Sequence, residues 1–371
     1  PYTLSMIPEY KRASWLELFY DVAFVALVAQ LTYLTAKYHH SVADFLNIFI
    51  VGYSIFIAWW ATTANRNLQP DEKALDKLLV QIQMVGAFVM SVTMPATFVG
   101  DYFWFFVTFG AVRFLQSMML VIMYVRHPEK RPVTYNLLEG MLAASFVWLL
   151  SGFMPSPWHF VVAGAALALD IMTPLTRGKG NTIRYLNVYH LQERLGLFLM
   201  LVIGESMIVV ALANTATSLS VTEPAVIFSG LAFMVALWWL YFDHSDRYQG
   251  VRPRSLFFFI HAHALMFGSL ILLSVGYKLI LEGVEQTGLG FVFAGVMGIV
   301  ATLGVTRAML YQLKGRSFVI STLLLVLFMI FGVFGWLEQL VVESVVVASL
   351  FFLLVAWLDY KNFFLRIISC R

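Results

Sequence analysis

The sequence predicts an all-α integral membrane protein with about twelve transmembrane helices. Apolar residues make up 60% of its 371 positions and charged residues only 12%, about half the charged share of an average soluble domain. A membrane-crossing helix needs about 20 mostly apolar residues, so this length accommodates about twelve crossings joined by short loops. A third observation, the alternating placement of basic residues, agrees with that count.

Long apolar runs separated by polar, glycine or proline clusters predict the individual crossings. These runs lie at 15–36, 42–64, 78–99, 102–124, 137–153, 159–175, 195–215, 224–242, 256–281, 289–311, 317–336 and 344–365. The fifth and sixth runs are short, and Pro155 and Pro157 predict a tight turn between them. The first run contains Glu17 and Asp21 and ends without a small-residue cleavage site, so we interpret it as a membrane helix rather than a signal peptide.

Lys and Arg predict the orientation of the chain, because cytoplasmic loops of membrane proteins carry an excess of basic residues. With the N-terminus inside, the cytoplasmic segments hold 20 of the 24 basic residues. Both termini are therefore predicted to be cytoplasmic. The basic residues are scattered through short loops instead of forming a stripe, so we expect membrane lipids and no nucleic acid as partners.

A weak internal similarity predicts two halves, 1–180 and 181–371. The segment around Asp21 resembles the segment around Glu205, and the Trp59–Trp60 pair has a counterpart in Trp238–Trp239. Halves of six helices each would be parallel repeats in one membrane domain, as in many secondary transporters, with a site between them near mid-membrane.

Ionisable residues within the crossings are the candidate functional residues, because each costs about 2.5 to 3.5 kcal/mol to insert into a membrane. Glu17 and Asp21 lie four residues apart and share a helix face. Glu205 lies deep in the seventh crossing, and Arg113 lies near the middle of the fourth. In one interpretation Asp21 and Glu205 line a central cavity with Arg113 as their counter-charge. In the other, Arg113 pairs with one carboxylate and ties helices together.

Further candidate binding residues are Glu193 and Arg194, at the start of the seventh crossing, and His263. Arg194 nearly shares a helix face with Glu205. His261 and His263 are two residues apart and point to opposite sides of a helix, so we predict no metal site there. One of them, His263 by preference, is expected to form a hydrogen bond in the bundle interior.

Other features favour structural roles. The two Trp pairs are expected in the interfacial belt near cytoplasmic helix ends. Asp170 is expected to reach headgroups or water at such an end. The single cysteine, Cys370, excludes an internal disulfide and any cluster held by several cysteines. Common soluble catalytic motifs are absent, and we predict no cofactor.

Several motifs resemble those of the bacterial low temperature requirement protein A family. They are Trp15-Leu-Glu17-Leu-Phe-Tyr-Asp21-Val-Ala-Phe-Val, His190-Leu-Gln-Glu193-Arg194-Leu-Gly196-Leu-Phe, Gly204-Glu205-Ser206, Trp238-Trp239-Leu-Tyr241-Phe242-Asp243, His263 before Gly268, and Arg113. The stretch after Trp60, Ala-Thr-Thr-Ala-Asn-Arg66, departs from the more aromatic and acidic segment expected there. The resemblance implies a multipass protein of the bacterial inner membrane and assigns no biochemical activity.

The leading hypothesis is therefore a secondary transporter or permease for an unidentified small molecule or ion. In it, Asp21, Glu205 and Glu17 are proton or cation sites, with Arg113 as their electrostatic partner. Two alternatives stay open: an intramembrane lipid-binding or sensor protein, and a lipid- or isoprenoid-modifying membrane enzyme in which Glu17 and Asp21 would be the best candidates.

Overall fold

The computed structural model describes residues 13–69, 73–177, 185–213, 221–245, 256–311 and 340–369. Within those ranges the chain is helical and contains no strand. The α-helices are α1 (Trp15–Lys37), α2 (Val42–Leu68), α3 (Ala74–Thr97), α4 (Phe103–Arg126), α5 (Arg131–Gly152), α6 (Trp158–Arg177), α7 (Val188–Leu212), α8 (Thr222–Ser245), α9 (Leu256–Leu281), α10 (Glu285–Tyr311) and α11 (Val341–Ser369). A short 3₁₀ helix, Pro128–Lys130, connects α4 to α5.

Ten helices in the described part of the chain are long and apolar enough to cross a membrane. They correspond to the first ten predicted crossings, and α11 overlaps the last. The predicted crossing at 317–336 lies outside the described residues, so the count of twelve stays a prediction. The all-helical class is confirmed for the described residues, and the ten candidate spans support the multipass prediction.

The largest differences from the predicted crossings are at the starts of α5 and α7, which both begin earlier than the apolar runs. α5 begins at Arg131 instead of 137, because Pro132 occupies the first turn, where a missing amide hydrogen costs nothing. α7 begins at Val188 instead of 195. The difference at α7 matters for the candidate site, since it puts His190 on the same helix as Arg194.

One compact unit comprises Pro1–Leu34 and Tyr38–Phe198. In it, α4 packs against α2, α3 and α5, and α6 packs against α5 and α2. α4 and α5 approach closely at Gly110, where an added Cβ would lie 2.7 Å from the backbone nitrogen of Leu149. This bundle carries α1, α2 and the first turns of α7.

The other compact unit comprises Thr35–Lys37 and Leu199–Arg371. Here α9 packs along α10, and α8 packs against α9 and α11. Gly276 permits the close α9–α10 contact, because a Cβ there would lie 2.5 Å from the backbone nitrogen of Val292. Small residues at such crossings are typical of membrane helix pairs. The predicted halves, 1–180 and 181–371, and their repeat relationship stay predictions.

Candidate functional site

Two acidic residues of α1 meet two basic residues of α7. Glu17 and Asp21 are four residues apart on α1, and His190 and Arg194 are four apart on α7, so each pair occupies one helix face. Glu17 faces His190 and Asp21 faces Arg194, so the two helices run in the same direction here. We call these four residues the charge cluster. None of them is more than 2% exposed.

Side-chain caps hold the two helix starts in place. The Ser14 hydroxyl accepts the Glu17 amide at 3.3 Å, and Glu17 Oε2 accepts the Ser14 amide at 2.8 Å. This reciprocal capping box fixes the first turn of α1. On α7, Asn187 Oδ1 accepts the His190 amide at 3.2 Å, which is the same N-cap device. Glu17 and His190 are therefore both third residues of their helices and both tied to a cap.

Two residues, Arg194 and Trp59, donate hydrogen bonds to the carboxylate of Asp21. Arg194 donates from Nη1 to Oδ2 at 2.6 Å and from Nη2 to Oδ1 at 2.5 Å, and Trp59 Nε1 donates to Oδ1 at 2.7 Å. The Arg194 guanidinium also lies 5.8 Å from the Trp59 ring centroid, and that ring stacks on Phe198 at 4.3 Å. A bidentate pair with an added indole donor is a strong arrangement for a buried carboxylate. We call Asp21, Arg194 and Trp59 the Asp21 triad.

Glu17 and His190 make a looser contact. Glu17 Oε1 lies 3.4 Å from His190 Nε2. Both atoms are fully buried and neither has a hydrogen-bond partner, since 3.4 Å is beyond the usual N–H···O distance of about 2.7 to 3.2 Å. One oxygen of a buried carboxylate is thus left facing one nitrogen of a buried imidazole.

Asn67 of α2 determines which His190 nitrogen carries the proton. The backbone N–H of Asn187 can only donate, so the Asn67 side-chain atom 2.8 Å from that nitrogen is the oxygen Oδ1. Asn67 Nδ2 therefore faces the backbone carbonyl oxygen of Asn187 at 2.8 Å and His190 Nδ1 at 3.0 Å. Because Nδ2 donates, Nδ1 accepts, and a neutral His190 carries its proton on Nε2, directed at Glu17.

A second group of the same composition lies on α4, α5 and α6. Arg113 Nη2 donates to Asp170 Oδ1, and Trp148 Nε1 donates to Asp170 Oδ2 at 2.9 Å. Arg113 Nη1 also donates to Gln116 Oε1 at 2.6 Å. We call Asp170, Arg113 and Trp148 the Asp170 triad. These contacts match the interpretation in which Arg113 pairs with one carboxylate and ties helices together.

Neutral polar side chains lead from the Asp170 triad towards α1. Gln116 Nε2 donates to the Ala58 carbonyl at 2.7 Å and to the Thr62 hydroxyl at 2.9 Å. Tyr20 donates its hydroxyl to Thr62 at 2.9 Å, and Thr62 lies 2.5 Å from Gln83 Oε1. Tyr20 directly precedes Asp21, so buried hydrogen bonds connect the surroundings of the two triads.

Glu205 and His263 lie in the other compact unit. Glu205 is 5% exposed and stands next to the buried Ser206 on α7. His263 Nδ1 donates to the Phe259 carbonyl at 2.7 Å, so its Nε2 accepts the Tyr241 hydroxyl at 2.7 Å. The predicted hydrogen bond of His263 is confirmed. Glu193 is half-buried.

Two sequence interpretations were wrong. Trp59 was expected in the interfacial belt but is fully buried, because its indole donor satisfies Asp21. Asp170 was expected to reach headgroups or water, but its side chain is 1% exposed and paired with Arg113. In both cases hydropathy gives the depth along a helix and not the direction in which a side chain points. Among the described residues, no group of three or more His, Cys, Asp or Glu is placed to hold a metal ion.

Comparison with known proteins assigns the chain to a family. The family model described as bacterial low temperature requirement A protein (LtrA) matches residues 12–356. The "Uncharacterized protein RA0937" of Rhizobium meliloti (strain 1021) is 24% identical over 305 residues, which cover 75% of this chain and 71% of that protein. The matched region contains the whole charge cluster and both triads. The chain therefore belongs to the bacterial low temperature requirement A family.

Proposed function

We propose that the protein is a secondary transporter or permease whose intramembrane carboxylates bind protons or other cations. The observation that carries the proposal is the charge cluster, in which two buried carboxylates share a single guanidinium. Ionisable groups inside a membrane are costly and typically mark ion or substrate pathways.

The charge balance of the cluster supports cation binding. Arg194 neutralises Asp21, and the His190 tautomer described above is neutral. An ionised Glu17 therefore leaves the four residues with one net negative charge in a buried environment. Burying an uncompensated charge is strongly unfavourable, so the cluster gains stability when it takes up one cation.

Glu205 is proposed as a further cation site, and the proposed part of Arg113 is structural, through its ion pair with Asp170. The remaining features of the proposal come from the sequence: two parallel six-helix halves, cytoplasmic termini and a bacterial inner-membrane location. An even number of helices per half makes the repeats parallel, and this arrangement is used by many transporters.

Flux measurements on the full chain test the proposal. The protein is reconstituted into liposomes that contain a pH-sensitive dye, and a panel of amino acids, organic cations and carboxylates is added outside in turn. We expect at least one solute to change the internal pH, and we expect Glu17→Gln, Asp21→Asn and Glu205→Gln each to abolish that change while the proteins stay folded. The control is Glu282→Gln, which alters an exposed glutamate after α9.

Two results would contradict the proposal. Wild-type protein that moves neither solute nor ion across the panel is not a permease for these classes. Tightly bound lipid in the purified protein, together with absent flux, would favour the lipid-binding alternative. Unchanged flux in Glu205→Gln would remove that residue from the mechanism and leave the charge cluster as the sole candidate.

A further inference from the structure

We infer that the cation bound by the charge cluster is a proton held by Glu17 and His190, and that Asn67 responds to its arrival. The transport role of this proton rests on the proposed function, whereas its binding does not. Four observations carry the inference: the facing atoms of Glu17 and His190, the His190 tautomer, the surrounding charges, and the link from Asn67 to the cap of α7.

The facing atoms favour a proton over a metal cation. His190 presents an N–H group to Glu17, and a hydrogen-bond donor cannot ligate a cation. Hard cations also need several oxygen ligands at about 2.0 to 2.6 Å, whereas only one of the two facing atoms, Glu17 Oε1, is an oxygen. Glu17 Oε2 is already occupied by the Ser14 amide. A proton needs no such set of ligands.

The charged groups around Glu17 explain why one proton suffices. On α1 the neighbouring charge is Asp21, and on α7 it is Arg194, which is bound bidentately to Asp21. α2 contributes the neutral side chains of Trp59 and Asn67 to the same contacts. One added proton makes the four-residue cluster neutral, and a second would give it a net positive charge.

The arriving proton disrupts an existing contact at each atom that can take it. On His190 Nδ1 it would face Asn67 Nδ2, so that two donors oppose each other at 3.0 Å. On Glu17 Oε1 it would face the Nε2 hydrogen of His190, again donor against donor. On Glu17 Oε2 it would compete with the Ser14 cap of α1. The empty state is therefore internally consistent, and the protonated state requires a rearrangement.

Asn67 is the residue that accommodates the proton on Nδ1. It would have to exchange its amide oxygen and nitrogen, which breaks both of its bonds to the backbone of Asn187. Asn187 is the N-cap of α7, and Asn67 lies in the last turn of α2. Proton binding would thus release the connection between the end of α2 and the start of α7, which couples proton occupancy to helix position.

Nitrogen NMR on the full chain in lipid nanodiscs tests this directly, because ¹⁵N shifts of labelled histidine distinguish Nδ1–H from Nε2–H. His190→Gln assigns the signal, and His40→Gln, at an exposed position, is its matched control. At high pH we expect wild-type His190 to carry a proton on Nε2 alone. On acidification we expect a transition that Glu17→Gln changes and that added NaCl at constant pH does not.

Asn67→Asp provides a second variant of nearly identical shape. Its carboxylate can accept both the Asn187 amide and a proton-bearing Nδ1, so we expect His190 to be protonated on Nδ1 under conditions in which the wild type is not. Asn136→Asp, at an exposed position on α5, is the matched control and should leave the His190 signal unchanged.

The outcomes separate this inference from the proposed function. An unprotonated Nε2 at high pH, a His190 signal that follows NaCl, or a transition unaffected by Glu17→Gln would overturn the proton site. The expected NMR behaviour without any liposome flux would keep the proton site and refute the transporter. Flux driven by a Na⁺ gradient alone would keep the transporter and refute the proton as its coupling ion.

Discussion

The Asp21 and Asp170 triads use the same three residue types to bury an aspartate. In each, an arginine and a tryptophan indole donate to the carboxylate, with the indole nitrogen at 2.7 Å from Asp21 and at 2.9 Å from Asp170. Both carboxylate side chains are 1% exposed. Guanidinium and indole groups suit a buried carboxylate because both donate hydrogen bonds. Neither contains an acceptor that would need a donor of its own.

The surroundings of the two triads differ. In the Asp170 triad, the charges of Arg113 and Asp170 cancel, and Arg113 otherwise donates to the neutral side chain of Gln116. The Asp170 triad is therefore electrically balanced. The Asp21 triad stands beside a second carboxylate, Glu17, whose Oε2 accepts the Ser14 amide and whose Oε1 faces the neutral His190. A buried, balanced ion pair such as Arg113–Asp170 is explained by its structural role alone. The unbalanced carboxylate of Glu17 is the basis of the proposed cation site.

Removal of Arg194 should have the largest effect on stability. Arg194→Gln leaves Asp21 and Glu17 buried without a cation, and loss of one partner of a buried pair costs about 3 to 5 kcal/mol. We expect the upper end of that range, measured as the shift in the unfolding transition of the purified protein in detergent. A loss equal to that of Arg113→Gln would mean that Glu17 adds nothing to the charge imbalance.

Removal of Arg113 should lower the stability of the protein less than removal of Arg194, and a second substitution should restore more of the lost stability. Arg113→Gln leaves only Asp170 uncompensated, so we expect the lower end of the range of about 3 to 5 kcal/mol. Adding Asp170→Asn removes the remaining charge and should restore most of the lost stability. The equivalent pair of changes, Arg194→Gln with Asp21→Asn, should restore less, because Glu17 stays buried. Equal recovery in the two double variants would contradict the distinction between the triads.

Loss of the indole donors should have a smaller effect. Trp59→Phe and Trp148→Phe each remove one hydrogen bond to a charged group, worth about 1.5 to 3 kcal/mol, and keep an aromatic ring in place. We expect similar losses of stability in both variants. Only Trp59→Phe should also alter solute-driven pH changes in liposomes, because only its aspartate belongs to the charge cluster. Altered flux in both variants would extend the site to the Asp170 triad.

The sequence predicted the multipass class well, because apolar run length reports directly on membrane crossing. It also named Glu17, Asp21 and Arg194 as candidates, since ionisable residues in such runs are conspicuous. It missed the start of α7, where the polar residues from His190 to Arg194 interrupt the hydropathy signal. That one boundary hid the contact between Glu17 and His190, because His190 was not placed on a helix face.

The sequence nevertheless contains a pattern that predicts the contact between α1 and α7. Glu17 and Asp21 have the same spacing as His190 and Arg194, so two helices carry complementary pairs in the same order. Such matched spacing predicts a contact between parallel helices. No comparable signal exists for Arg113 and Asp170, or for the burial of Trp59, because single residues on separate helices give no spacing to match. Their partners depend on how the helices rotate against one another.

The smallest predicted effect concerns the possible repeat. Thr62 contacts Gln83 in one compact unit and Tyr241 contacts His263 in the other. The two pairs are separated by nearly the offset that relates Trp59–Trp60 to Trp238–Trp239.

Side-chain hydrogen bonds in membrane proteins average about 0.6 kcal/mol in double-mutant cycles. We therefore expect a coupling of that size for Tyr241→Phe with His263→Phe, and a similar one for Thr62→Val with Gln83→Leu. Coupling in the first pair alone would show that the correspondence has no energetic counterpart, since a repeated contact should stabilise both units alike.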